Sequence, residues 1–138
     1  MKRNFLILAL LFFAGFIAGC ENDEDITPDQ QLNGSWHLTN VSGGLAGVNI
    51  DYKKGEVKWD FDPKSGNLTI ENLIDSTGPE DIYAGLDSGT YPYEIRQEGD
   101  AQVLYIDNSE RGILTIVDNT LKIDDGLIAD GFITQFER

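Results

Sequence analysis

Along most of this chain apolar and polar residues alternate one for one in short runs, and that alternation constrains the fold more than any other feature. Val57, Trp59 and Phe61 alternate with Glu56, Lys58 and Asp60, and Leu68 and Ile70 do the same within Asn67-Leu68-Thr69-Ile70-Glu71. Trp36 and Leu38 alternate with His37 and Thr39. Tyr91, Tyr93 and Ile95 share one face of a later run, and Phe132, Thr134 and Phe136 oppose Ile133 and Gln135. A period of two sends successive side chains to opposite faces of an extended strand. With Val103-Leu104-Tyr105-Ile106, Ile113-Leu114-Thr115-Ile116-Val117 and Leu121-Lys122-Ile123, the runs predict about eight strands. Links such as Asp118-Asn119 and Asp62-Pro63-Lys64-Ser65-Gly66 are short and carry turn residues. Such links force neighbouring strands to be antiparallel, because a parallel crossover needs about a dozen residues or more.

Pro92 marks an edge or a bulge in its run. A helical turn is expected only near Pro79-Glu80-Asp81-Ile82-Tyr83-Ala84, within the long irregular stretch from Asp75 to Ser88. A second irregular stretch, Ser42-Gly43-Gly44-Leu45-Ala46-Gly47, follows the first strand and reads as a corner or, like Asp75 to Ser88, as a mobile functional loop. An eight-stranded meander has two bare edges unless it closes on itself. The expected fold is therefore all-β, a small eight-stranded antiparallel up-and-down barrel, with a two-sheet β-sandwich as the alternative. Eight strands enclose just enough room for packed side chains or one small ligand.

The first 19 residues stand outside this pattern. Lys2 and Arg3 precede an uncharged apolar run from Phe5 to Gly19, too short for a permanent membrane-spanning helix of about 20 residues. The run ends in Ile17-Ala18-Gly19-Cys20, which resembles a lipobox. That resemblance implies a signal peptide over residues 1–19 and lipidation of Cys20. Cys20 is the single cysteine, so no intrachain disulfide can form, and acylation accounts for a lone thiol on an exported chain. Each buried acyl CH₂ contributes about 0.8 kcal/mol, and the two or three chains the resemblance implies make the anchor stable.

Residues 20–31 are acidic and nearly free of apolar side chains, and they read as a disordered tether ahead of a domain over 32–138. The acidic cluster after Cys20 resembles the surface-export signals of some Gram-negative lipoproteins. Its other reading is a self-repelling spacer. Removing Lys2 and Arg3 takes the net charge from −14 to −16. A surface this acidic repels nucleic acid and anionic headgroups, so the lipid, not basic protein surface, must hold the molecule to a bilayer.

At Gly34-Ser35-Trp36 the chain resembles the Gly-x-Trp signature of lipocalins. The resemblance implies that Trp36 closes one end of a barrel and that a late basic residue, here Arg138, packs across its indole. A guanidinium over an indole contributes about 0.5–2 kcal/mol. More of the chain resembles the small lipocalin-like lipoproteins of Gram-negative bacteria: Leu32-Asn33-Gly34-Ser35-Trp36-His37-Leu38, Trp59-Asp60-Phe61, Gly89-Thr90-Tyr91-Pro92-Tyr93 and Phe136-Glu137-Arg138. The domain is shorter than lipocalins proper, which leaves little interior volume.

Few residues invite chemistry. His37 is the single histidine, and no second histidine or further cysteine can complete a zinc site with it. Asp124-Asp125-Gly126 and Asp130-Gly131 bracket Leu127-Ile128-Ala129, but they lack the Asp-x-Asp-x-Asp-Gly spacing of a calcium loop and read as turns. No Gly-x-Ser-x-Gly elbow, phosphate loop or Ser/His/Asp arrangement is visible, so neither an enzyme nor a metal or cofactor is expected. Asp75-Ser76-Thr77 resembles a bacterial O-glycosylation acceptor. The strand-borne aromatics Trp59, Phe61, Tyr91, Tyr93 and Tyr105 are either plain core or the lining of a small pocket. The sequence thus leads to the expectation of a non-catalytic lipoprotein anchored in the outer membrane of a Gram-negative bacterium. Its expected partners are the bilayer and either a small apolar or amphipathic ligand or, for a filled-core interaction module, an envelope protein or glycan.

Overall fold

The computed structural model describes residues 27–126 and 129–138. The leader, Cys20 and the first part of the tether lie outside the described residues. Nine strands follow a short helix α1 (Pro28–Leu32): β1 (Gly34–Gly43), β2 (Val48–Asp51), β3 (Val57–Asp62), β4 (Asn67–Asn72), β5 (Gly89–Glu98), β6 (Ala101–Ile106), β7 (Ser109–Val117), β8 (Thr120–Asp124) and β9 (Phe132–Glu137). A second short helix, α2 (Pro79–Tyr83), lies between β4 and β5. Strands β1 and β3 to β9 pair in chain order, all antiparallel, and β9 returns to β1 from His37↔Glu137 to Gly43↔Phe132. The result is a closed eight-stranded barrel. Closure through β1 and β9 rules out the two-sheet sandwich.

The ninth strand is the extra one. The sequence expectation of eight strands omitted β2, because Val48-Asn49-Ile50-Asp51 is short and follows the glycine-rich corner. β1 runs for ten residues and changes partner along one edge, pairing with β3 over Gly34–His37 and with β2 over Asn40–Gly43. A bulge at Thr39 separates the halves on the β9 side and resets the alternation, so Trp36, Leu38 and then Val41 are all buried. Residues Pro28–Gln31, read from sequence as the end of a tether, form most of α1, which delivers fully buried Leu32 to the barrel.

The alternation fills the interior. Trp36, Leu38, Val57, Trp59, Phe61, Leu68, Ile70, Leu104, Ile106, Leu121, Ile123 and Phe136 are at most 5% exposed and form one cluster. Rings stack within it: Trp59 lies 4.7 Å from Phe136, and Phe61 meets Tyr93 edge-on at 5.0 Å. Burying such a side chain contributes about 1.5–3 kcal/mol each, so this packed column is a main source of the barrel's stability.

Turn chemistry fixes the register. Asp107 and Asn108 both have positive φ, the requirement of a type I′ two-residue hairpin between β6 and β7. Pro92 occupies the position where β5 passes from β4 (Asn67↔Pro92) to β6 (Tyr93↔Ile106), at the end of a ladder inside a closed sheet. Along β6 and β7, Leu104 pairs with Gly112 and Tyr105 with Glu110, so Arg111 is an additional, bulged residue. Gly112 beside it has φ 128°, and a Cβ there would lie 2.3 Å from the Asp124 carbonyl oxygen. Gly112→Ala should therefore lower stability by about 2 kcal/mol or more, read as a fall in the urea unfolding midpoint.

Candidate functional site

The two ends of the barrel are built differently. At the α1 end the Trp36 indole N–H donates to the Leu32 carbonyl at 2.8 Å. The Arg138 guanidinium covers the other side, 4.1 Å from the Trp36 ring, and donates to the Gln31 carbonyl. Leu32, Trp36 and Arg138 thus meet in one plug, with Gly34 at the start of the strand that carries Trp36. Tyr93 faces the same end: burial above all, then the Asp29 carboxylate beside it, and more weakly Asp62, push its pKa well above the ordinary phenol value. The Tyr93 hydroxyl and Asp29 Oδ1 make no hydrogen bond of standard geometry, yet they are close enough for the carboxylate to favour the protonated phenol.

The opposite end is open. There α2 and the residues after it lean over the strand ends. Tyr83 stacks on Phe132 at 5.3 Å, Ala84 is 3% exposed, and Tyr52 donates to the Glu80 carbonyl at 2.9 Å. Between this cover and the barrel lies a cleft of about 200 Å³, walled by Val41, Ile82, Tyr83, Ile123 and Phe132, with Trp59 lining it. Arg111 and Asp125 supply its charged groups.

Two of the residues lining the cleft carry a buried donor without a partner. The Trp59 indole N–H and the Arg111 Nε–H are buried and have no acceptor among the described residues. Three lysine or arginine side chains form ion pairs with carboxylates among the described residues, Lys53, Lys58 and Arg96, and Arg111 is not one of them. Asp125 forms no ion pair with it, and the Asp125 Oδ1 accepts from the Phe132 N–H in the loop.

The aromatic set singled out from sequence divides three ways. Trp59, Phe61 and Tyr93 pack on each other or on Phe136 inside the barrel, and Trp59 alone of the five lines the cleft. Tyr91 packs against the core edge, and its hydroxyl donates to the Asp87 carbonyl at 3.0 Å. Tyr105 does not join the interior. Leu104 and Ile106 take the inward positions, while Tyr105 lies under Arg96 at 3.8 Å and donates to Glu98 at 2.7 Å. Of the five aromatics, Tyr105 alone lies away from the core cluster.

Sequence reasoning missed Arg111. The available signal was Gly112, since an isolated glycine in a strand pattern marks a bulge or a close approach. The aspartates near the carboxy terminus act as turn residues: Asp124 Oδ1 accepts from the Gly126 N–H at 2.9 Å. Among the described residues no group of three or more His, Cys, Asp and Glu side chains could hold a metal ion. His37, on β1, has a lowered pKa through burial first and then the charges of Lys54 and Lys58.

Fold and site together define a closed antiparallel barrel with one plugged end and a small cleft, holding unpaired donors, at the other. Comparison with protein-family models, with curated proteins and with solved structures finds no match for this chain.

The tyrosines give a pH test. Burial, then the charges of Glu80, Asp81 and Glu56, push the Tyr52 pKa up to about 12. The unfolded chain releases these phenol protons near pH 10, before the folded one does, so the stability contribution is complete below pH 10 and is lost as pH rises toward 12. Ultraviolet difference titration should show Tyr52 and Tyr93 ionising together with unfolding, and Tyr52→Phe should flatten the stability decline between pH 10 and 12.

Proposed function

We propose that this protein is a lipid-anchored, non-catalytic lipoprotein of the Gram-negative outer membrane whose lipocalin-like barrel holds a small apolar or amphipathic ligand in the cleft beneath α2. The observation that carries the ligand reading is the Trp59 indole N–H, buried at the cleft with no acceptor. A buried donor left unmade costs about 1–3 kcal/mol, so a partner that arrives with an acceptor recovers that free energy. The lipocalin-like reading is supported by the closed eight-stranded barrel and by Arg138 packing over Trp36 at the plugged end. The anchor rests on Ile17-Ala18-Gly19-Cys20.

The two parts of the proposal fit one geometry. The described chain enters the barrel through α1, at the plugged end and opposite the cleft. Residues 20–27 allow a reach of about 25 Å at full extension.

A second reading, an interaction module that contacts envelope proteins or glycans, is favoured by one observation. Leu45, Leu73 and Ile82 are 89%, 69% and 71% exposed, all on connections at the cleft end. Crosslinking in cells that recovers one dominant partner through these residues, with no small molecule in the purified protein, would favour it over ligand binding.

Two measurements test the main proposal. Cys20→Ser should abolish labelling by a palmitate analogue and move the protein from the membrane to the soluble fraction. Mass spectrometry of an organic extract of the purified wild-type protein should find a co-purifying small molecule, and adding that molecule back should raise the melting temperature.

A further inference from the structure

We propose that the cleft recognises a small carboxylate, a single ring or short branched chain bearing one acid group, with Arg111 as the residue that binds the acid and the Trp59 N–H as the second donor. This deepens the ligand-binding reading above and rests on it.

The case starts from the backbone. A strand of strict alternation would give Arg111 the face opposite its neighbours Glu110 and Gly112. The bulge makes it the additional residue in the ladder, which is how a sheet re-aims a side chain. The bulge is held by Gly112, whose missing Cβ lets β7 approach the Asp124 and Asp125 backbone. A rare conformation is thus maintained at the one place where an arginine lines the cleft.

The chain has 10 lysines and arginines against 24 aspartates and glutamates. Arg111 forms no ion pair with a described carboxylate, and its Nε–H is buried without an acceptor among the described residues. A guanidinium presents its donors in a planar fork that matches a carboxylate. The indole of Trp59 is a donor and nothing else. Both unmade bonds call for acceptors, and neither calls for a donor. The cleft's own carboxylate, Asp125, is engaged by the Phe132 N–H.

Size and lining set the rest of the ligand. A cavity of about 150 Å³ admits benzene, so about 200 Å³ has room for one ring and its acid group. It is too small for a long acyl chain or a drug-sized molecule, whose pockets run from about 300 Å³ upward. Val41, Ile123 and Phe132 offer the apolar wall for the ring.

The test uses the full-length chain in a neutral detergent, with benzoate and benzyl alcohol as probes of matched size and different charge. The readout is the indole N–H resonance of Trp59 in a proton–nitrogen correlation spectrum. Trp36, the other tryptophan, is bonded to the Leu32 carbonyl and serves as internal control. Benzoate should shift the Trp59 signal and bind about tenfold or more tighter than benzyl alcohol, the factor expected of a charge-assisted hydrogen bond. Arg111→Met should reduce benzoate to the affinity of benzyl alcohol, with the remaining spectrum unchanged. Equal binding of both probes to wild type would overturn the carboxylate assignment and leave the small-ligand reading standing, even if the variant failed to fold. No binding of either probe at millimolar concentration would overturn both.

Discussion

The whole architecture depends on the ladder between β1 and β9. Seven of the eight ladders between barrel strands join neighbours in chain order and would by themselves make an open meander, but such a sheet would leave one face and two edges unsatisfied. Joining His37–Gly43 to Phe132–Glu137 removes both edges from the ring and turns one face of every strand inward at once. Closure is reinforced at the α1 end, where Leu32, Trp36 and Arg138 interlock. The inward side chains can then be large, because eight strands leave a space that a single layer of Trp, Phe, Leu and Ile fills.

That filling decides where function can sit. Phe61, Phe136 and Trp36 are at most 1% exposed, so large side chains occupy the barrel interior. Space survives where α2 fails to seal the strand ends completely. The irregular backbone needed for a site is concentrated there as well: the Arg111 bulge, the close approach at Gly112 and the loop in which Asp125 holds Phe132. A rigid ladder on three sides and a short helical cover on the fourth give a site whose geometry changes little unless the cover moves.

Much of the barrel was legible in the sequence, and the reason is visible in β3. Val57, Trp59 and Phe61 alternate cleanly with charged residues, so phase, face and strand type are all set by five positions. Val103-Leu104-Tyr105-Ile106 is a continuous apolar run, which carries no phase, and Tyr105 was for that reason grouped with the interior aromatics. The bulge at Thr39 hid the second half of β1, and with it the hairpin to β2, because one additional residue reverses the alternation. Helix α1 was hidden for a different reason: Leu32 is its single buried apolar residue, so it has no periodicity to detect. The site was less legible than the fold. Trp59 could be read as inward-facing, but whether its N–H finds an acceptor depends on residues far along the chain that face it only after closure.

The ring also has an entropic and kinetic side. Apart from the detour through β2, every join but one links strands that follow each other along the chain. The exception brings together segments 96 positions apart, as between Thr39 and Gln135. For a floppy chain, closing such a span costs about 2 kcal/mol more than closing ten residues. A chain whose intervening hairpins are already zipped presents a far shorter effective loop, so the late docking of β9 is cheap once the rest has formed. Ring formation therefore rewards a chain that assembles in sequence order, as one emerging amino terminus first through a translocation pore would do.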